Sequence, residues 1–238
     1  MAVTDYNLGF NNGLAVGINI KGAEGSVAPL VPVAVTYKDQ SASGLYASGT
    51  SFNITAPASV VAGDFIAVVI FSRSLVSAPA GFIKVAYRES ATFAQWLEVW
   101  TKVADGSEAG AVLTFTQPYS GRFGISLTTL VCQTAIVVEE LGYSDMTTAD
   151  GIHPIPIVTA LGDGRLQLSA SDCVYSTSPL YEVTPPDGWI VIRPDDTVDN
   201  RMAAAVRSVD AGVTSYCYFN HHPGTHIGIQ LTVLFAPS

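Results

Sequence analysis

The side chains best suited to chemistry in this sequence are few. His221, His222 and His226 crowd the stretch HHPGTH, and His153 is the fourth histidine. A zinc site needs three or four ligands converging at bonding distance, usually with cysteine or carboxylate help. Pro223-Gly224 sets a turn among these histidines, so nothing forces convergence, and no HExxH is present. A solvated turn without metal is expected. Glu139-Glu140 is an acidic pair, but neighbours on a strand point to opposite faces. That arrangement suits a glycosidase pair poorly. Asp195, Asp196 and Asp199 offer oxygen ligands for calcium but lack the EF-hand spacing, so a solvated loop is expected. There is no Gly-x-Ser-x-Gly elbow and no phosphate-cradling loop. The sequence therefore predicts no catalytic residue, no metal and no cofactor. Trp96, Trp100 and Trp189 remain as candidates for stacking on a glycan. Their default role is core packing. Trp96 and Trp100 share one face if their strand is regular. Tyr175, Tyr181, Tyr216 and Tyr218 are weaker candidates of the same kind.

The elements that must position these residues read as strands. Phe65 to Phe71 is a continuous apolar run after a Gly63-Asp64 turn, which predicts a strand buried on both faces. Pro79-Ala80-Gly81 turns the chain into Phe82 to Tyr87. Trp96 to Val103 alternates between large apolar and polar side chains, which predicts one wet face. Asp105-Gly106 marks a turn, and Val112 to Thr116 alternates again. Lys38 to Gly49 reads as a Ser/Gly/Ala loop, and Leu141 to Pro156 as a turn-rich crossing. The last strand should point Ile227, Ile229, Leu231, Val233 and Phe235 at the core. Helix signals are poor; even the Ala-rich run Met202 to Val209 reads as a strand. Counting gives about a dozen strands at sandwich-like spacing.

The same grammar appears twice. Gly162-Asp163 echoes Gly63-Asp64, and Pro186-Asp187-Gly188-Trp189 echoes Pro79-Ala80-Gly81-Phe82. The interval from Phe82 to Val99 equals that from Trp189 to Val206. Two similar halves, each too small to bury its own sheet face, predict two sheets pressed together. The expected fold is all-β: an antiparallel, jelly-roll-like sandwich of two similar halves with an N-terminal arm. Residues 1–49 hold the arm and first strand or strands, and residues 50–238 a single sandwich, its halves at about 50–140 and 155–238.

Composition narrows the function classes. Only 13% of the 238 residues are charged, against roughly 25% in ordinary domains. So uncharged a surface hints at burial against other proteins. A net charge of −9 with 11 Lys and Arg offers no basic stripe for nucleic acid and disfavours anionic lipid. The three cysteines Cys132, Cys173 and Cys217 form no disulfide framework. The first residues do not read as a signal peptide, and no apolar run approaches a membrane span. Synthesis in a cytoplasm is the expectation.

The order Pro57, Val60, Gly63-Asp64, Pro79, Gly81-Phe82, Trp100, Lys102, Ala104, Gly106 and Thr114-Phe115-Thr116 resembles β-sandwich domains of bacteriophage virion proteins. Gly162, Asp163, Leu166, Pro186, Gly188 and Trp189 match the later steps of that pattern. The resemblance covers roughly Pro57 to Phe235 and consists of turn and core positions. It implies a non-enzymatic structural protein of the virion, made in the host cytoplasm. Capsid decoration is favoured over a tail or fibre component, because no coiled-coil or shaft repeat is present. It also implies other virion proteins as partners, met through the N-terminal arm and sheet edges, and a homo-oligomer, with a trimer the form suggested by analogy. A carbohydrate-binding receptor or adhesion module is the alternative from another class.

Overall fold

The computed structural model describes residues 34–43, 49–72, 74–90, 95–121, 124–131, 136–146, 152–154, 157–174, 181–182, 188–192, 202–215, 218–221 and 227–237. Its elements are strands, and no helix occurs among the described residues. The expected N-terminal arm, up to residue 33, lies outside them.

In chain order the first seven strands are β1 (Thr36–Ser43), β2 (Gly49–Thr55), β3 (Phe65–Ser72), β4 (Ile83–Ser90), β5 (Gln95–Val103), β6 (Val112–Gly121) and β7 (Gly124–Val131). They form a five-stranded sheet ordered β1-β7-β3-β5-β4 and a separate β2-β6 pair. The next group is β8 (Ile136–Met146), β9 (Ile152–Pro154), β10 (Val158–Thr159), β11 (Arg165–Val174), β12 (Tyr181–Glu182), β13 (Ile190–Ile192), β14 (Met202–Val209), β15 (Thr214–Ser215), β16 (Tyr218–His221) and β17 (Ile227–Pro237). Its main sheet is ordered β8-β17-β11-β14-β13, with small β10-β15 and β12-β16-β9 sheets beside it. All pairings are antiparallel.

The predicted echo is therefore present as topology. Each five-stranded sheet starts at its group's first strand and continues through the last strand, the strand after the Gly-Asp turn and that strand's next partner. Val69 pairs with Val99 and Leu168 with Val206, each six residues after the glycine of its Gly-Asp turn, but the equal spacing from Phe82 and Trp189 is not a shared register: Val99 pairs with Ala86 and Val206 with Ile190. The sheets lie face to face. β5 packs across on β17 while β7 packs across on β14, a reciprocity like that of a two-fold dimer interface.

Pleating decides which residues meet. Phe65, Ala67, Val69 and Phe71 join Leu97, Val99, Leu166, Leu168, Ile229, Leu231, Val233 and Phe235 in one central core. Ile66, Val68 and Ile70 point the other way, against Phe52, Ile54, Leu113 and Phe115 of the β2-β6 layer. All eight residues of β3 are buried, as its unbroken apolar run predicted.

Three expectations are corrected. Lys38 to Ser43 is not loop but the outer part of β1, paired to β7; an edge strand tolerates such a polar sequence. Ile136–Met146 is one strand running into the supposed crossing, and it pairs with β17. The polar face of β5 is not wet: Glu98 is fully buried, because the outer layer covers it. The outer face of β11 and β17 is likewise covered, although it carries Gln167, Ser169, Ser171, Gln230 and Thr232. Ser169 and Thr232 hydroxyls lie 3.2 Å apart, so pairing among themselves offsets part of their desolvation.

Both edge strands β1 and β8 carry a one-residue bulge, at Lys38 and Glu139. Bulges re-aim side chains. Lys38 Nζ reaches buried Asp64 at 2.6 Å. Glu139 accepts from Arg165 at 3.0 and 3.3 Å. Each bulge thus pins the start of its central strand, with opposite polarity.

Gly164 joins the two halves. Its carbonyl accepts the Val35 N–H at 2.8 Å. Its φ is +69°, and an added Cβ would lie 2.9 Å from the Ala34 backbone. Gly164→Ala should therefore cost about 1–3 kcal/mol from conformation alone, plus the clash. Gly63→Ala, at φ +90° with open space, should cost less; chemical denaturation of both variants reads the difference.

Candidate functional site

The strongest site lies along one open side of the sandwich, where the edge strands β4 and β8 approach each other. Ile83 and Val85 share a cleft with Ile136, Val137 and Val138, and further along the strands Arg88 meets Tyr143. The two strands therefore run the same way along a seam. One end is apolar: a cleft of about 550 Å³ lined by Phe65, Ile83, Val85, Val103 and Ile136 to Val138, with Gly81, Thr101 and Lys102 at its margin. The other end is polar and aromatic: a recess of about 230 Å³ lined by Tyr87, Arg88, Glu89 and Tyr143.

The seam exists because the sheets do not cover each other at this side. Leu141 and Tyr143 stand opposite Val233 and Leu231, whose side chains belong to the central core. They share that inward face, yet β4 leaves them 39% and 50% exposed. Ile83 is 65% exposed and Val103 59%. Exposed apolar side chains gathered along one side of a low-charge protein mark an interaction surface.

Electrostatics around the seam are mostly satisfied internally. Buried Glu98 takes Lys84 Nζ at 2.9 Å, Trp100 Nε1 at 2.8 Å and the Val76 N–H at 3.2 Å. Lys102 pairs closely with Glu108 and more loosely with Asp105. Glu108 also accepts the backbone N–H groups of Asp105 and Gly106. The hydrogen bond that the Lys102 ammonium donates to the Glu108 carboxylate holds its pKa above the ordinary value.

In the same turn, the Ser107 hydroxyl, the Ser107 N–H and Lys102 hold the Asp105 carboxyl down at about 2. A depressed carboxyl stabilises the fold fully above its unfolded pKa, and that contribution disappears as pH falls through the folded value. The window thus runs from near pH 4 down to about 2. Wild type should be more stable than Asp105→Asn above pH 4, and urea titrations should show the gap closing towards pH 2. A pH-independent gap would remove the turn's electrostatics from consideration.

The residues expected from sequence fall elsewhere. Trp96, Glu98 and Trp100 do share one face of β5, which pairs regularly with β3. The Trp100 ring, however, carries Lys84 Nζ at 4.8 Å from its centroid. Trp96 is half-buried. Trp189 is buried, and its Nε1 has no partner. Glu139 is bound to Arg165, and Glu140 pairs with Leu234 across β8 and β17. His153 pairs with Phe219 and His221 with Tyr181 in the small sheet. His222, His226, Asp195, Asp196, Asp199, Tyr175 and Tyr216 lie outside the described residues. Among the described residues no group of His, Cys, Asp and Glu is arranged to hold a metal.

Tyr87, Arg88, Glu89 and Tyr143 were not singled out by the sequence. Tyr87-Arg88-Glu89 continues a strand, and nothing in the order of residues announces that Tyr143 lies beside it. No family model, curated protein or solved structure matches this chain.

Proposed function

We propose that the protein is a non-enzymatic structural component of a bacteriophage particle, a decoration protein that coats or stabilises the capsid. The observation that carries this reading is the set of exposed apolar side chains along the β4–β8 seam, Ile83, Val103 and Leu141. A surface of that kind is stabilised when another protein covers it. The charge pattern agrees. Lys38, Lys84, Lys102 and Arg165 are all committed to carboxylates of the same chain, so these cations are not offered to nucleic acid phosphates. The shell protein and further copies of this chain are the proposed partners, and the particle is the proposed location. The resemblance of the Gly-Asp and Pro-x-Gly-aromatic steps to virion sandwiches supports the same assignment.

The test is direct. Purified particles should contain the protein in many copies, and labelled cryo-electron microscopy should place it on the head. Label confined to the tail would move the role to a tail or fibre component. Absence from washed particles would end the proposal.

A further inference from the structure

We propose that the end of the sandwich carrying the two Gly-Asp turns is its docking face, and that this face fits a cationic, apolar-centred surface of the shell protein. This rests on the particle assignment and adds to it the face used and the charge of the partner. Register brings the turns together. Phe65 follows the Gly63-Asp64 turn and meets Phe235 across the core, and Phe235 pairs with Leu166, just after the Gly162-Asp163 turn. Phe65 also pairs with Val103 and Arg165 with Val209, so the turns at Asp105 and Asp210 lie at the same end. Exposed apolar side chains gather there. Val61 and Leu161, on the Gly-Asp turns, are 55% and 79% exposed, and Ile83 and Val103 lie beside them.

The face is ordered before any partner arrives. In one half the Gly63 N–H donates to the Ala104 carbonyl at 2.8 Å. In the other the Gly212 N–H donates to the Ala160 carbonyl at 2.8 Å and the Ala211 N–H to the Asp163 carboxylate at 3.0 Å. Turns tied in pairs lose little freedom on binding. The charges decide the partner. Lys38, Lys102 and Arg165, beside these turns, are each bound to a carboxylate. Asp105, Asp163 and Asp210 are exposed. A second copy using the same face would set aspartates against aspartates, and phosphate or anionic lipid would meet the same repulsion. Lysines or arginines around an apolar hollow complement this end.

Particles stripped of the protein and titrated with the purified full-length chain test the proposal. Wild type should bind saturably. Leu161→Ser and Val61→Ser, both at exposed positions, should each weaken binding about tenfold, while Leu75→Ser, exposed beyond the far end of β3, should not. Asp210→Lys should slow association at low salt, and about 0.5 M salt should narrow that gap. Saturable binding that Leu161→Ser and Val61→Ser leave unchanged, or that Asp210→Lys speeds, would overturn this docking face and leave the particle assignment standing. Self-association of the free chain abolished by Leu161→Ser would give the face to a second copy and overturn it too. No binding by wild type would end the particle assignment and this inference with it.

Discussion

Glu98→Ala should destabilise the protein by about 3–5 kcal/mol, the range for removing one partner of a buried ion pair. Glu98 is fully buried on β5 and satisfies three groups at once: Lys84, the Trp100 indole and the Val76 backbone. Alanine would leave the indole and the amide without their acceptor, each a cost of about 1–3 kcal/mol. It would also loosen the segment around Val76, which is tied to β6 through Ser77 and Thr116. Glu98→Gln keeps the shape and one acceptor, so its loss should be about 1–3 kcal/mol. In the double variant Glu98→Ala/Lys84→Met the losses should not add, because both changes break one network. Urea denaturation followed by tryptophan fluorescence measures wild type, Glu98→Ala, Glu98→Gln, Lys84→Met and the double variant. A loss below about 1 kcal/mol for Glu98→Ala would mean that this carboxylate is not holding the segment in place.

The second large effect concerns the central core. Phe235 has no exposed surface and meets Phe65 edge-on, with ring centroids 5.4 Å apart. One ring comes from each five-stranded sheet, so the contact crosses between the halves. Phe235→Ala should cost about 3–5 kcal/mol, the usual range for truncating a buried phenylalanine. The core is shared, and among the described residues neither sheet has another partner for that face. Wild type and variant should therefore both unfold in a single transition, with far-ultraviolet dichroism and fluorescence coincident. Two separated transitions, or loss of structure in one half alone, would show that the sheets are independent domains.

Much of this architecture was legible in the residues, and the reasons are local. β3 announced burial on both faces because Phe65 to Phe71 has no polar side chain to spend on water. β14 read as a strand through its place in the echo, despite three alanines. The alternation of β17 named Ile229, Leu231, Val233 and Phe235 as core. Alternation was silent about the opposite face, however. A period of two separates two sides of a strand and cannot say that a second layer covers the polar one. That is why Glu98, Gln230 and Thr232 looked wet and are buried. Likewise β1 hid behind Ser, Asp and Gln, since edge pairing asks little of side chains. The seam was illegible for a different reason: it depends on the lateral offset of two sheets, which arises from tertiary packing of strands distant in the chain.

The reciprocal packing of the two five-stranded sheets has a consequence for how such a molecule can change. In an assembly of two identical chains, every substitution lands twice, and both flanks must tolerate it. Here the corresponding positions sit on one polypeptide and vary separately. The flank behind β3 is aliphatic, with Ile66, Val68 and Ile70, while the flank behind β11 holds Gln167, Ser169 and Ser171. The two bulges carry charges of opposite sign. A covalently joined pair can thus keep a symmetric keel while its sides specialise for different neighbours.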